Sequence, residues 1–523
     1  MGRKGKRITL ALLLIAALLG AVGCESVGGV NLNKSLVEAY DTVSAEGTFS
    51  VSWEFTRDES QPLEEDLEML MERFGSGKLA VTESKTESAT ALSAKGTLEL
   101  PEATLPFELY FTGTDLIVDV EGAKLPIEFS AYPEDNSALY APLSPAELQA
   151  AFDPNSEEVR SLNRALASFI IGNFSNPERT ETSRVTEEID GESTRLTKVT
   201  FELNVAELIE SGMEFALRAV QDEEGLRALI GAVYDAYLPV MKAYLAEIEE
   251  TGEEPPMADM IRMAVGSKQL SVEMVYEQLR PMLEAAKEQL ENPSLQAEML
   301  AAEFGEESGM TVSWLFDGMY PIGSDVTVVL APPANEDNSG ISSFRLDMSS
   351  RMWNVNGDVK ADTYTGETYR LSDDIKPRDR LENFDQDSYL YDLLKNEFHV
   401  TKESFNLYMG DDATVTDGTS PYIAGAGTTM VPVRYVSEQL DAGVHWNPET
   451  YTVTITDTFE GVVIQMTVNE KTAFVNGEAV ELPEAPAVHN GSAFVPIAFI
   501  TNALGGTAEW DPEWGIVTIT KEF

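Results

Sequence analysis

Cysteine appears once in these 523 residues, at Cys24, and histidine three times, at His399, His445 and His489. A disulfide within the chain is excluded, and so are the cysteine clusters that hold zinc or iron. Bases are scarce as well, with 36 Lys and Arg against 89 Asp and Glu. Such a field repels phosphate backbones and anionic headgroups, so nucleic acid is not an expected partner. Nothing after residue 23 is long and apolar enough to read as a membrane segment. No G-x-S-x-G elbow, H-E-x-x-H pair, G-x-x-x-x-G-K-[ST] loop or D-x-D-x-D-G calcium loop occurs. Carboxylates are so numerous that a pair at glycosidase spacing says nothing. No catalytic residue, cofactor or metal ligand is therefore expected.

What is present begins with an address. Arg3, Lys4, Lys6 and Arg7 precede an apolar core from Ile8 to Leu19, the layout of a signal peptide over residues 1–23. Its end, Ala21-Val22-Gly23-Cys24, resembles a bacterial lipobox. That resemblance implies acylation of Cys24 and a membrane partner held through lipid on the extracellular face of the cell membrane. The plainer alternative is a secretory leader with an incidental cysteine. Residues 24–40 then read as a tether, with Gly28 and Gly29 allowing swing.

Apolar residues make up 43% of the chain, enough for real cores despite the acid. Residues 41–371 read as one α+β domain or two subdomains. In its first strand Phe49, Val51, Trp53 and Phe55 alternate with polar neighbours, and further strands are expected over 78–100 and 105–120. A helix is expected over 144–173 with Ser144 as N-cap, then a hairpin turning at Asp190-Gly191. Helical spacing dominates about 205–305, where Pro239 and Pro281 are expected to kink or divide helices and Pro255-Pro256 and Asn292-Pro293 mark connections. Its methionines, among them Met260, Met263, Met274, Met282 and Met299, are expected in the core rather than lining a pocket. Strands return after 310, with Asn356-Gly357 as a hairpin turn into 359–361. The predicted fold is a large antiparallel sheet with an inserted helical layer. In outline it resembles half-barrel lipoproteins that carry apolar cargo. Residues 372–400, charged and containing Pro377, read as a linker.

Residues 401–523 carry a repeat. Met430 to Ile455 returns 64 positions later as Phe494 to Ile519, with Val431, Pro432, Leu440, Trp446, Pro448, Val453, Thr454 and Ile455 each recurring in register. In each copy Val-Pro is expected to open a helix, whose apolar stripe is Val433, Val436 and Leu440 or Ile497, Ile500 and Leu504. A tryptophan-bearing hairpin follows, and Trp446 and Trp510 are expected to close it on the helix. The domain is thus predicted as two tandem hairpin-helix-hairpin repeats.

Val431, Pro432, Arg434, Glu438, Leu440, Ala442, Val444 and Trp446 resemble the pattern of the copper amine oxidase N-terminal-like, or stalk, domain. The second copy departs from it at Ala498 and Asn502, and the first at Asp441, where the pattern has glycine. The resemblance implies a surface protein of a Gram-positive bacterium and a stalk remote from any copper chemistry. The oxidase's Asn-Tyr motif and His-x-His pair are missing here. The expectation is a non-catalytic cell-surface lipoprotein whose stalk-like domain is an interaction or scaffold element for cell-wall components or another envelope protein. Two alternatives are a carrier of lipid or other apolar ligands, and an enzyme acting on cell-wall polymers.

Overall fold

The computed structural model describes residues 26–27, 30–63, 65–130, 156–175, 177, 179–251, 258–290, 301–302, 304–333, 340–371, 375–408, 421–424, 427–458, 460–489, 491–511 and 514–523. Cys24 and its leader, Gly28 and Gly29, Ser144, Pro255 and Pro256, Asn292 and Pro293, and Met299 lie outside the described residues. The chain is mixed α and β and divides into two units. The first comprises Met1–Glu121 and Pro126–Arg370, the second Gly122–Leu125 and Leu371–Phe523.

Among the described residues of the first unit, twelve strands form one sheet. Ala45–Arg57 lies near its middle. On one side follow Ser76–Ser88, Ala91–Glu99, Thr104–Phe111, Asp115–Val120 and Ile127–Ser130, with the short Tyr369–Arg370 in parallel at the edge. On the other side follow Ile341–Trp353, Tyr320–Leu330, Gly309–Asp317, Glu192–Asn204 and Thr180–Ile189, all antiparallel.

Alternation along the strands becomes amphipathicity of the sheet. Phe201, Val312 and Val326 are cross-strand partners in one row, which continues through Met348, Val51, Leu79, Leu98 and Leu105. The adjacent row, pointing the other way, reads Thr200, Ser313, Asp325, Ser349 and Ser50. Polar side chains satisfy one another there. Arg351 Nη1 donates to Asp325 Oδ1 at 2.8 Å and Arg351 Nε to Glu187 Oε2 at 2.8 Å. Burial opposes the charge on Asp325, but Arg351, Ser349 and Lys198 outweigh it and hold the carboxyl below its ordinary 3.8.

Helices cover part of the apolar face. Leu32 and Leu36 of Leu32–Ala39, Ala167 and Ile171 of Glu157–Asn173, and Leu208 of Val205–Gln221 press on Phe201, Met310, Val312 and Val328. Asn204 and Glu207 close a reciprocal cap at the start of the third of these helices. The row is accordingly buried at Phe201, Val312 and Val326, and only half-buried at Met348, Val51, Leu79 and Leu98. No described helix is long and apolar enough to cross a membrane.

Several details of the first unit differ from the sequence reading. The helix ending at Asn173 is described from Glu157, with Ser156 as its cap, and the expected cap Ser144 lies outside the described residues. Pro239 and Pro281 do not divide their helices, since each sits inside one helix, Glu223–Thr251 or Lys268–Gln289. Met260 and Met263 of helix Ala258–Gly266, and Met274 and Met282 of Lys268–Gln289, are exposed rather than in the core. Asn356-Gly357 makes a turn without a following strand. The preceding strand Ile341–Trp353 already has neighbours on both edges, so no hairpin partner has a place.

The described residues of the second unit form three sheets. Thr429–Pro432 and Ser492–Pro496 pair at the centre, with Val431 opposite Val495. Each runs into a helix, Val433–Gln439 or Ile497–Ala503, and then a hairpin, Gly443–Asn447 with Thr452–Asp457 or Thr507–Asp511 with Ile516–Glu522. Pro432 and Pro496 are N-caps at the ends of strands rather than first helical residues. Their fixed φ suits that extended-to-helical corner equally well. Strand Val462–Thr467 flanks the first hairpin and strand Lys402–Tyr408 the second. One core joins everything, with Val436, Leu440, Ile455, Ile500 and Ile519 essentially inaccessible. Residues 372–400, read from sequence as a linker, are grouped with this unit and bury Leu381, Phe384 and Leu393.

Candidate functional site

A groove of about 660 Å³ opens on the second unit. Helix 433–439 contributes Arg434, Tyr435 and Glu438 to it, strand 443–447 contributes Val444 and Trp446, and strand 402–408 contributes Asn406, Leu407 and Tyr408. The helix places Arg434 and Glu438 one turn apart, and Arg434 Nη1 donates to Glu438 Oε1 at 3.2 Å and to Val444 O at 3.4 Å. Both side chains remain more than half exposed, so the pair positions the guanidinium without binding it tightly. Edge-on contacts set the aromatic rings, Tyr435 against Phe405 at 6.0 Å and Trp446 against Tyr451 at 6.1 Å. Strands 402–408 and 443–447 are each outermost in their sheets. Each therefore offers a backbone edge with no strand beyond it among the described residues.

Pro432, Arg434, Glu438, Val444 and Trp446 of the sequence pattern line this groove, while Val431, Leu440 and Ala442 lie in the core. Residues 411–519 match the copper amine oxidase N-terminal domain. The match lies wholly within the second unit and includes Arg434, Glu438 and Trp446 of the groove. No curated protein matches the chain.

Within the matched copper amine oxidase N-terminal domain, Asp441 replaces the pattern's glycine, and its backbone is left-handed, with φ 61°. Gly505 occupies the corresponding place with φ 79°. Asp is tolerated because its carboxylate has work to do: Lys376 hydrogen-bonds Oδ1, and Arg378 Nη1 lies 2.7 Å from Oδ2 as an ion pair. Sequence reasoning had no route to this contact, since both bases sit in the presumed linker.

The two tryptophans differ. Trp446 packs against the core as expected, whereas Trp510 is 48% exposed. Tyr451, which meets Trp446 edge-on, has Gly515 as its counterpart 64 positions on, so that ring is not repeated beside Trp510.

Copper does not fit. His399 faces Glu522 at 3.8 Å, His489 Nε2 lies 3.1 Å from the Tyr422 hydroxyl, and His445 is exposed on strand 443–447. Among the described residues no three His, Cys, Asp or Glu side chains form a group able to hold a metal. A second cleft, of about 350 Å³ in the first unit, sets Glu54, Glu99 and Asp347 near Trp53. There burial opposes the charge on Asp347, but Arg345 and Thr327 outweigh it and keep the carboxyl low, the wrong direction for a proton donor.

Proposed function

We propose that this is a non-catalytic lipoprotein of the bacterial envelope, held on the extracellular face of the membrane through Cys24, whose second unit is a docking module. In this reading the module is a tandem duplication. The 64-residue spacing, the same strand, helix and hairpin order at 429–457 and 492–522, and the facing of Val431 with Val495 support it. The observation that carries the docking role is the convergence of Arg434, Glu438 and Trp446 on an apolar groove beside two strand edges that no described strand covers. The second copy has Ala498 and Asn502 at the first two places, so only one copy is equipped.

The occupant that fits best is an extended polypeptide segment of another envelope protein. An open edge offers main-chain hydrogen bonds, and the apolar wall takes alternate side chains. A photo-crosslinking phenylalanine analogue at Tyr435, displayed on intact cells, is expected to yield peptide adducts that the same probe at Trp510 does not. Glycan adducts alone, or equal labelling at both places, overturn the reading.

A second reading attaches to the first unit, where the apolar row of the sheet stays half-buried from Met348 to Leu98. We infer that this strip receives an acyl chain, making the protein also a carrier of apolar ligand. Native mass spectrometry of protein taken from membranes is expected to show bound lipid, and Leu98→Glu to abolish it. A single ligand-free mass for both proteins removes the carrier reading.

A further inference from the structure

Asp457 and Lys521 form an ion pair with almost no access to water. Lys521 Nζ lies 3.0 Å from Asp457 Oδ2, with the two side chains 3% and 2% exposed. Nζ also donates to the Leu440 carbonyl at 3.2 Å, at the end of the first copy's helix, and sits 4.4 Å from the centre of the Phe523 ring. The Glu460 amide donates to Asp457 Oδ1 at 3.1 Å.

Their positions matter as much as their burial. Asp457 and Lys521 stand 64 residues apart, so they occupy the same place in the two copies. The strand pairing has the same reciprocity: Met430 faces Pro496 and Pro432 faces Phe494, each the counterpart of the other pair. Strand 452–457 of the first copy takes strand 462–467 as its neighbour, and strand 516–522 of the second takes strand 402–408. Val453 meets Met466 in the first case and Val517 meets Leu407 in the second. Exchanging the copies therefore maps position 457 onto position 521, across a local two-fold relation.

A two-fold contact between identical surfaces sets each residue near its axis against itself. Were a first copy to meet another first copy, Asp457 would face Asp457 in a dry interior; two second copies would oppose Lys521 with Lys521. Only first with second matches charge. We infer that the Asp457–Lys521 pair is a pairing key, which directs each first copy to a second copy and excludes like-with-like association between chains whose strand edges would otherwise fit. The partner surface it selects is the other half of the same module. Discrimination of this kind comes from the repulsion built into the wrong pairing, and one buried polar contact is enough to set register and partner. The inference rests on the duplication proposed above.

The test uses the full chain with charge reversals. Asp457→Lys gives Lys at both places, and Lys521→Asp gives Asp at both; neither is expected to close its second unit alone. Mixed during refolding, the two differently tagged variants are expected to form a heterodimer. Each crossed contact in that dimer restores one Lys–Asp pair. By native mass spectrometry it should exceed either homodimer by about a hundredfold, the order set by burying like charge. Asp457→Lys with Lys521→Asp in one chain should fold as a monomer. Single variants that remain folded monomers overturn the key. A double reversal that stays unfolded, while the wild-type chain folds, instead overturns the equivalence of the copies on which the key rests.

Discussion

Changing Lys521 to Met in the full chain lowers the stability of the second unit by about 3–5 kcal/mol, the cost of leaving one member of a buried ion pair without its partner. Asp457 is only 2% exposed, so water cannot replace the ammonium. The Leu440 carbonyl loses its donor in the same step. Removing both charges behaves differently. Asp457→Leu with Lys521→Met should recover most of the loss, because a whole pair exchanged for apolar groups of similar size is about neutral, or stabilising by roughly 1–4 kcal/mol. Hydrogen exchange of the amides in strands 452–457 and 516–522, followed through urea unfolding, reads both variants. A single-variant loss under about 1 kcal/mol, the scale of exposed pairs, shows that the site is wet after all.

The other large effect is spatial. With Cys24 replaced by alanine, the protein leaves the membrane fraction and appears in the medium. Lipid anchoring grows by about 0.8 kcal/mol per buried methylene, so two acyl chains on one thiol hold a protein durably and their loss is close to all-or-nothing. The remaining surface would work against retention: without residues 1–23, 32 of the 36 bases face all 89 acids, and anionic headgroups repel that field. Fractionation with immunoblotting of membrane and medium decides the matter. A Cys24→Ala protein that stays with the membrane sinks the anchor.

Much of the fold was legible because its period is local. Phe49, Val51, Trp53 and Phe55 announced a strand, and the structure extends it to Ala45–Arg57. The stripe Val433, Val436 and Leu440 announced a buried helical face, and all three are buried. Asp190-Gly191 and Asn476-Gly477 are left-handed at both residues, as two-residue hairpin turns require. Asn356-Gly357 carries the same dipeptide and fails, because the decisive fact is the occupancy of a distant strand's edge. The groove was half legible. Arg434, Glu438 and Trp446 stood out as a pattern, but Tyr408 and Tyr435 joined them only once strand 402–408 was placed. The Asp457–Lys521 contact was beyond sequence reasoning, since neither residue is unusual until register shows them facing across two copies.

Strand 402–408 completes the sheet of the second hairpin, and strand 462–467 that of the first, so on the duplication proposed above neither copy owns a whole sheet. Each lends its opening strand to the other, and one continuous core seals the exchange. On that reading, half of the module is not expected to fold alone. The unit is expected to melt in a single cooperative transition, and the proposed docking surface to be present in full or lost in full.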